Sequence, residues 1–549
     1  MVIFAFIFFN CKDNYLTLPS MKTFSLSLVP EIALDPVLLK EHLRTHCLKG
    51  TSQDFEFRKT KESIDGRKGK VVLHIDVEVY LNESLPPLLS DIRTYQLPAQ
   101  APQAILVGAG PAGMFAALRL IELGIRPILL ERGKDVRARR RDLAAINKAH
   151  VVDPNSNYCF GEGGAGTYSD GKLYTRSKKR GDIRRILEIF VQHGATERIL
   201  VDAHPHIGTN KLPGVVTAMR ESILQAGGEI HFNSHVIDFL LEDDEMKGVV
   251  TADGTSWLGI GVILATGHSA RDIFYLVDQK KIQIEAKPFA MGVRIEHPQA
   301  FVDQCQYHRP DRGLLPPAAY SLVTQTRHKG TQRGVFSFCM CPGGFIVPAS
   351  TAPGELVVNG MSPSRRDSYF ANSGVVVSVL PEDWAPFVPE KGPLAALALQ
   401  EKVERDLWQM TQQLVHPGKE QMAPAQRIGD FTRKRISTDL APTSYQPGLI
   451  SAPLHEILPD FIAGPLSEAL PIFQKKMKGY VGSAGQLIGL ESRTSSPVRI
   501  PRHPDTLEHP QVKRLFPCGE GAGYAGGIMS AAMDGERCAE ALATRWLNS

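Results

Sequence analysis

The sequence predicts an α/β chain in three parts: a small α+β unit, a doubly wound domain split in two along the chain, and a mixed α/β insertion between its halves. Three observations predict this. Residues 104–133, AILVGAGPAGMFAALRLIELGIRPILLERG, read as strand, glycine turn, helix and strand. A second strand, glycine turn and helix closes the chain at 515–547. Before either, Leu73, Ile75, Val77, Val79 and Leu81 alternate with polar residues as in a half-buried antiparallel strand.

Taken in order, residues 1–20 open with a nine-residue apolar run, MVIFAFIFF. A bilayer span needs roughly 18–20 residues, and the run lacks a basic flank and a small-x-small cleavage site. Met21 starts the strand MKTFSLSLV, so residues 1–20 read as an over-extended start. The first unit, 21–99, continues with a helix from Asp35-Pro36 to about Cys47, Asp at the N-cap and Pro at the first helical position. A strand at DFEFRKTK follows, and the basic run 58–70 reads as a solvated hairpin. LPAQAP (97–102) is the linker. The split domain is expected over 103–275 and 501–549, with a helix and a strand ending near Val236 inside it. The insertion, 276–500, carries strands near GVFSFCM and ELVVNGM and a helix near 393–413.

The fingerprint assigns chemistry. Gly108 makes the tight turn, Gly110 leaves room for a pyrophosphate, and Gly113 lets helix and strand pack closely. Pro111 and Ala112 open the helix, whose amide end faces the phosphates. Glu131, 23 residues after Gly108, is positioned to accept ribose hydroxyls, with Arg132 beside it. Strand, helix and acid in register raise this far above a lone G-x-G-x-x-G.

CFGEGGAGTYSDGKL (159–173) matches a second fingerprint and a phosphate loop, and both fail in context. No apolar strand precedes it, a turn signal at Asp170-Gly171 follows it, and Leu173 stands where a phosphate loop needs Ser or Thr. The C-terminal Gly521-x-Gly523-x-x-Gly526 has no strand after it to supply a ribose acid, so it is not a second dinucleotide site.

Gly519-Glu520 and the following helix look like the closing motif of two-domain flavoproteins. Together with ILATGHSARD, GVFSFCMCPGGFIVPAS, NGMSPSRRDSYFANS and GLESRTSSPVRI, the chain from Met21 onward resembles a bacterial and plastid family of FAD-dependent dehydrogenases within the glutathione-reductase superfamily, in its single-fingerprint branch. The resemblance implies a discontinuous Rossmann-like FAD-binding domain with an inserted substrate domain. It implies FAD contacts at Val236, at Ala265-Thr266-Gly267, at Gly519 and Glu520, and at the turn Gly526, Gly527 and Ile528. It places Gly163, Gly164, Ala165, Gly166 and Thr167 as a backbone cradle for the flavin ring.

For catalysis, Glu491, Arg493, Cys339, Cys341 and His268 are the candidates, with Arg271, Asp272, Thr494 and Tyr524 near them. Arg493 suits a substrate carboxylate. Cys339-Met-Cys341 suits either a redox pair or two buried hydrophobes. His204-Pro-His206 has no third ligand nearby, so no metal is expected. Of Arg137, Arg139, Arg140 and Arg141, most should be solvated.

The reaction class expected is hydride exchange through flavin N5, with NAD(P)H, a quinone or O₂ as electron partner. With no second usable fingerprint, a nicotinamide would dock only transiently. Two rivals differ in class: a flavin-dependent RNA-modifying protein using residues 21–99 to bind RNA, and a non-catalytic FAD-bound protein. The eight scattered cysteines, without a C-x-x-C pair, fit a reducing cytoplasm, and the formal charge of +4 demands no polyanionic partner.

Overall fold

The computed structural model describes residues 21–548 except Lys68, Ser90, residues 176–180 and Ser483. The over-extended start expected over residues 1–20 lies outside the described residues.

Gln103–Val107 is apolar on both faces because both are covered, as parallel sheets require. It lies in a five-stranded parallel sheet ordered Leu515–Pro517, Val262–Leu264, Gln103–Val107, Arg126–Leu130, Glu229–His231. Leu106, Leu129, Ile263 and Phe516 point to one side and pack on helices Pro111–Glu122 and Ile528–Leu547. Ile105, Ile128, Val262 and Leu515 point to the other, toward helix Arg271–Gln279 and the antiparallel meander Val236–Glu242, Glu245–Thr251, Ser256–Leu258. The closing segment of the chain is thus an edge of the sheet that the fingerprint strand begins. One expected boundary moves. The strand after helix Leu212–Gln225 is Glu229–His231, and Val236 opens the meander rather than ending that strand.

Between Val262–Leu264 and Leu515–Pro517 the chain builds a seven-stranded mixed sheet, ordered 323–328, 331–341, 370–379, 289–298, 486–491, 423–427, 449–451. Its central strand, Phe289–Pro298, is buried along nearly its whole length. The first unit is a three-stranded antiparallel sheet, with Met21–Leu28 and Phe55–Asp65 flanking Val72–Leu81. Asp35 caps helix Pro36–His42 by accepting from the amides of Val37 and Leu38, and the last turn to Cys47 widens into a π turn. Leu73, Ile75, Val77 and Val79 join the apolar core of the seven-stranded sheet. The edge strand 55–65 is also engaged: Glu62 N donates to Val201 O, and Ala203 N donates to Glu62 O. Within the basic run, Lys59 pairs with Glu62 and Arg67 with Asp65.

Candidate flavin and substrate site

Two of the three fingerprint glycines answer a measurable crowding. Gly108 has φ +102°, and a Cβ on it would lie 2.6 Å from Ala265 O. A Cβ on Gly113 would lie 2.0 Å from Gly108 O. Gly110 differs, because its nearest neighbour would be Gly164 Cα at 4.0 Å. The space beside Gly110 is therefore open to a ligand and not filled by protein. Pro111 then starts a 12-residue helix, and Ile528 starts a 20-residue one, so two amide ends meet at one cleft. Gly535 lets the two helices touch, since a Cβ there would sit 2.1 Å from Ala112 O.

The cleft is a cavity of about 620 Å³. It is lined by Gly108, Gly110, Pro111 and Ala112, by Glu131 and Arg132, and by Gly164, Ala165 and Gly166. Val236, Ala265, Thr266, Gly267, Glu520, Gly526, Gly527 and Ile528 complete that side. The opposite wall comes from the insertion, through Phe338, Cys339, Asn359, Gly360, Arg493 and Thr494. His268 lines it too, 3.5 Å from Glu520 through Nδ1. Gly113, Gly163, Thr167, Gly519, Cys341 and Glu491 do not line it. Gly113 supports the turn from behind. Gly519 N donates to Asp534 at 2.8 Å, and the Thr167 hydroxyl donates to Glu162 O at 2.7 Å.

The expected cradle at Gly163–Thr167 sits differently from the sequence-based reading. Gly163 N donates to Ala109 O at 2.8 Å, and a Cβ on Gly164 would meet Gly110 Cα at 3.2 Å. The loop braces the fingerprint turn and offers only Gly164, Ala165 and Gly166 to the cavity. Glu131 joins the two: its carboxylate accepts from the amides of Ala109, Gly133 and Gly161, each at 2.9 Å.

Arg137, Arg140 and Arg141 are exposed, as expected of most of this arginine run, and Arg139 is the exception. It is fully buried and donates to the carbonyls of Asn157, Tyr158 and Glu162, so it folds the glycine loop from inside. A guanidinium with its donors distributed over three carbonyls is the economical way to bury such a loop. Arg493, expected to suit a substrate carboxylate, lines the cavity but is held by protein partners. Its Nη1 donates to Thr351 at 2.6 Å, Nη2 donates to Glu355 at 2.7 Å and to Glu404 at 3.0 Å, and Nε donates to Glu404. All three nitrogens are engaged within the protein, in a buried network that Arg271 completes through Glu355 and Glu404. Those partners hold the Glu404 carboxyl down at about 2 against the opposing effect of burial.

Glu491 lies behind the cavity wall, fully buried, with both carboxylate oxygens lacking a hydrogen bond and Arg294 Nε 3.4 Å away. Burial pushes its pKa up to about 7. The folded state therefore prefers the neutral acid. Stability from this group is full below the unfolded value near 4.5 and declines as pH rises toward 7. The difference in stability between wild type and Glu491→Gln is expected to shift in favour of the variant across that window, by about 3 kcal/mol. Urea midpoints of both proteins at pH 4.5 and pH 8 check it; parallel curves would show that the carboxyl does not titrate there.

His206 Nε2 donates to Ser364 O at 3.2 Å, and burial pushes its pKa down to about 4. The His204-Pro-His206 segment is a packed loop. Among the described residues, the group close enough to hold an ion is Cys518, Asp534 and Cys538, and Arg502 already pairs with Asp534 at 2.6 and 2.9 Å. No helix of the described residues is long and apolar enough to cross a membrane.

Fold and site define an α/β protein of three parts built around a strand–glycine–helix turn and a cavity closed by an inserted domain. Residues 288–494 match the family described as FAD-dependent protein, C-terminal domain-like. Over 439 residues the chain is 40% identical to an uncharacterized protein of Clostridium beijerinckii, covering 79% of this chain and 80% of that one. The chain belongs to the family of that protein, and its cofactor is FAD. Among solved structures it is similar to CtdE in complex with FAD, at 11% identity and TM-score 0.30, covering 81% of this chain and 89% of that one. It is also similar to glycine oxidase from Bacillus cereus, at 11% identity and TM-score 0.31, covering 81% and 95%.

Proposed function

We propose that the protein is an FAD-dependent oxidoreductase of the single-fingerprint, glutathione-reductase-like kind, acting on a small molecule held between the flavin and the inserted domain. One observation carries the reading: two helix amide ends and the ends of three parallel strands converge on a cavity whose far wall belongs to the insertion. The donor set fits FAD. Gly110 leaves the pyrophosphate room, Glu131 faces the ribose, and Glu520 with the Ile528 helix end suits the ribityl chain and ring. When bound, FAD supplies hydride exchange at N5. The chain orients it, excludes water with Phe338 and Ile528, and presents Thr494, Asn359 and His268 as polar contacts for substrate. NAD(P)H, docking transiently, a quinone or O₂ is the electron partner in this reading.

Purified protein is expected to carry one FAD per chain, read from its visible spectrum after protein quantitation. Anaerobic photoreduction followed by mixing with NADP⁺, quinones and O₂ then separates the alternatives. Reoxidation by one acceptor well above the free-flavin rate supports turnover, and reoxidation at the free-flavin rate by all of them makes it a flavin-binding protein only.

A further inference from the structure

We propose that Cys339 and Lys172 form a nucleophilic site in the cavity wall, one that takes a ligand with a soft electrophilic carbon, such as an alkene conjugated to a carbonyl, by bonding it to Cys339 Sγ. Both residues line the cavity. Lys172 Nζ stands 3.7 Å from Cys339 Sγ and 3.9 Å from Cys341 Sγ, fixed there by Met340 O and by the Asp170 carboxylate at 3.5 Å. They come from places 167 residues apart in the chain, so only the folded molecule makes the pair.

The backbone supports the same reading. Cys339 adopts φ +44°, a left-handed conformation that a non-glycine residue keeps only where its surroundings impose it. It sits where the ladder between strands 331–341 and 370–379 loses register, between Phe338 and Cys341. Arg294, fully buried, donates to Cys339 O at 2.9 Å. Behind it stand two fully buried side chains whose polar atoms make no hydrogen bond, Glu491, with Arg294 3.4 Å away, and Asn372. Such orphaned groups next to a cavity mark a site built for something other than stability.

The charged and titratable groups facing the sulfur are Lys172 and Asp170 from the glycine loop, Arg294 from strand 289–298, Glu491 from strand 486–491, and Cys341 on its own strand. Asp170 is already matched by Arg366 at 2.7 Å, and Glu491 is held toward its neutral form. The field at the sulfur is therefore positive. The neighbouring Cys341 thiol, whose Sγ donates to Cys339 O at 3.2 Å, and the Lys172 and Arg294 charges hold the Cys339 thiol well below the ordinary thiol range. The Cys339 sulfur and burial push Cys341 well above it. The pair carries one thiolate, and it is the one facing the cavity.

The step conserves electrons. The Cys339 thiolate lone pair forms a C–S bond at the β-carbon, and the C=C pair moves through the α-carbon onto the carbonyl oxygen. The enolate then takes a proton from the Lys172 ammonium, which water reprotonates. The inference relies on the flavin reading only for the adduct's setting beside the cofactor, not for its formation.

N-ethylmaleimide, itself a conjugated carbonyl, is the probe. FAD-loaded protein is labelled between pH 5 and 9, the site and rate are read by peptide mass spectrometry, and flavin absorbance is followed in parallel. The internal comparison is Cys305, whose thiol burial pushes up. At pH 6.5, Cys339 is expected to label at least about ten-fold faster than Cys305. Lys172→Met should slow Cys339 at least about ten-fold at that pH and restore its rate above pH 9, whereas Lys172→Arg should retain the low-pH reactivity. A Cys339 profile in the ordinary thiol range, a profile unchanged by Lys172→Met, or labelling only after FAD is released would each overturn the site. If Lys172→Met does not fold, the wild-type profile and Lys172→Arg decide. Fast labelling of a protein that takes up no FAD would refute the flavin reading and leave this one standing.

Discussion

Gly110→Ala is expected to yield a folded protein that has lost its flavin, whereas Gly113→Ala loses both flavin and stability. The two glycines are three residues apart in one turn, yet they are small for different reasons. Gly110 has φ −74°, which alanine adopts freely, and its methyl would meet nothing closer than 4.0 Å. The protein accepts that methyl, so any loss measures what else lies against the turn. A methyl in the path of the pyrophosphate should weaken FAD binding about 100-fold or more, since it removes both close contact and amide hydrogen bonds. At Gly113 the methyl would stand 2.0 Å from Gly108 O. The turn must move away from the helix, at about 1–3 kcal/mol for the overpacking alone. FAD titration by fluorescence quenching and a urea midpoint on each variant separate the two effects. Wild-type FAD affinity in Gly110→Ala would mean that the pyrophosphate does not cross this turn.

Arg493→Met is expected to cost about 3–5 kcal/mol of stability, the usual consequence of removing one partner from a buried ion network. Two arginines, Arg271 and Arg493, face two glutamates, Glu355 and Glu404, and the Ser492 hydroxyl donates to Glu404 at 2.5 Å. Glu404 is wholly buried, so loss of Arg493 leaves it facing Arg271 alone, and its carboxyl should take up a proton nearer neutral pH. Adding Glu404→Gln to Arg493→Met should recover part of the loss, because a neutral amide needs no counter-charge. The measurement is the urea midpoint of the single and double variants at pH 7. Were Arg493 a substrate-carboxylate ligand, the single variant would instead keep its midpoint and raise KM.

The contrast between these residues shows what was legible beforehand. Gly108, Gly110 and Gly113 act within one strand–turn–helix, so their spacing carries their meaning. The same holds for Glu520, set between a strand and a helix, and for the alternation of Leu73 to Val79. The ion network around Arg493 was not legible because its partners lie 89 and 138 residues away, and no local pattern announces a salt bridge across an inserted domain. Arg139 looked like one of several solvated cations; its burial depends on the carbonyls of a loop that only folds around it. The glycine-rich loop was recognised as irregular and close to the cofactor turn, but its main contact, against Gly110 and Ala109, is set by tertiary packing. Lys172 attracted notice only through a phosphate-loop pattern that does not apply, and its neighbours Cys339 and Cys341 come from the far side of the insertion.

The placement of Leu515–Pro517 beside Val262–Leu264 has a consequence for how the molecule is made. During synthesis the fingerprint strand, its helix and strand Val262–Leu264 emerge with one sheet edge still open, and roughly 250 residues must follow before that edge is paired. The insertion has to fold in the interval without capturing the exposed edge. The helix Ile528–Leu547 brings Gly535 onto Ala112 and carries the second amide end to the cleft, so the cofactor seat is completed only after this segment has been made. A nascent chain lacking that segment has half a seat, and flavin uptake becomes a readout of completed assembly.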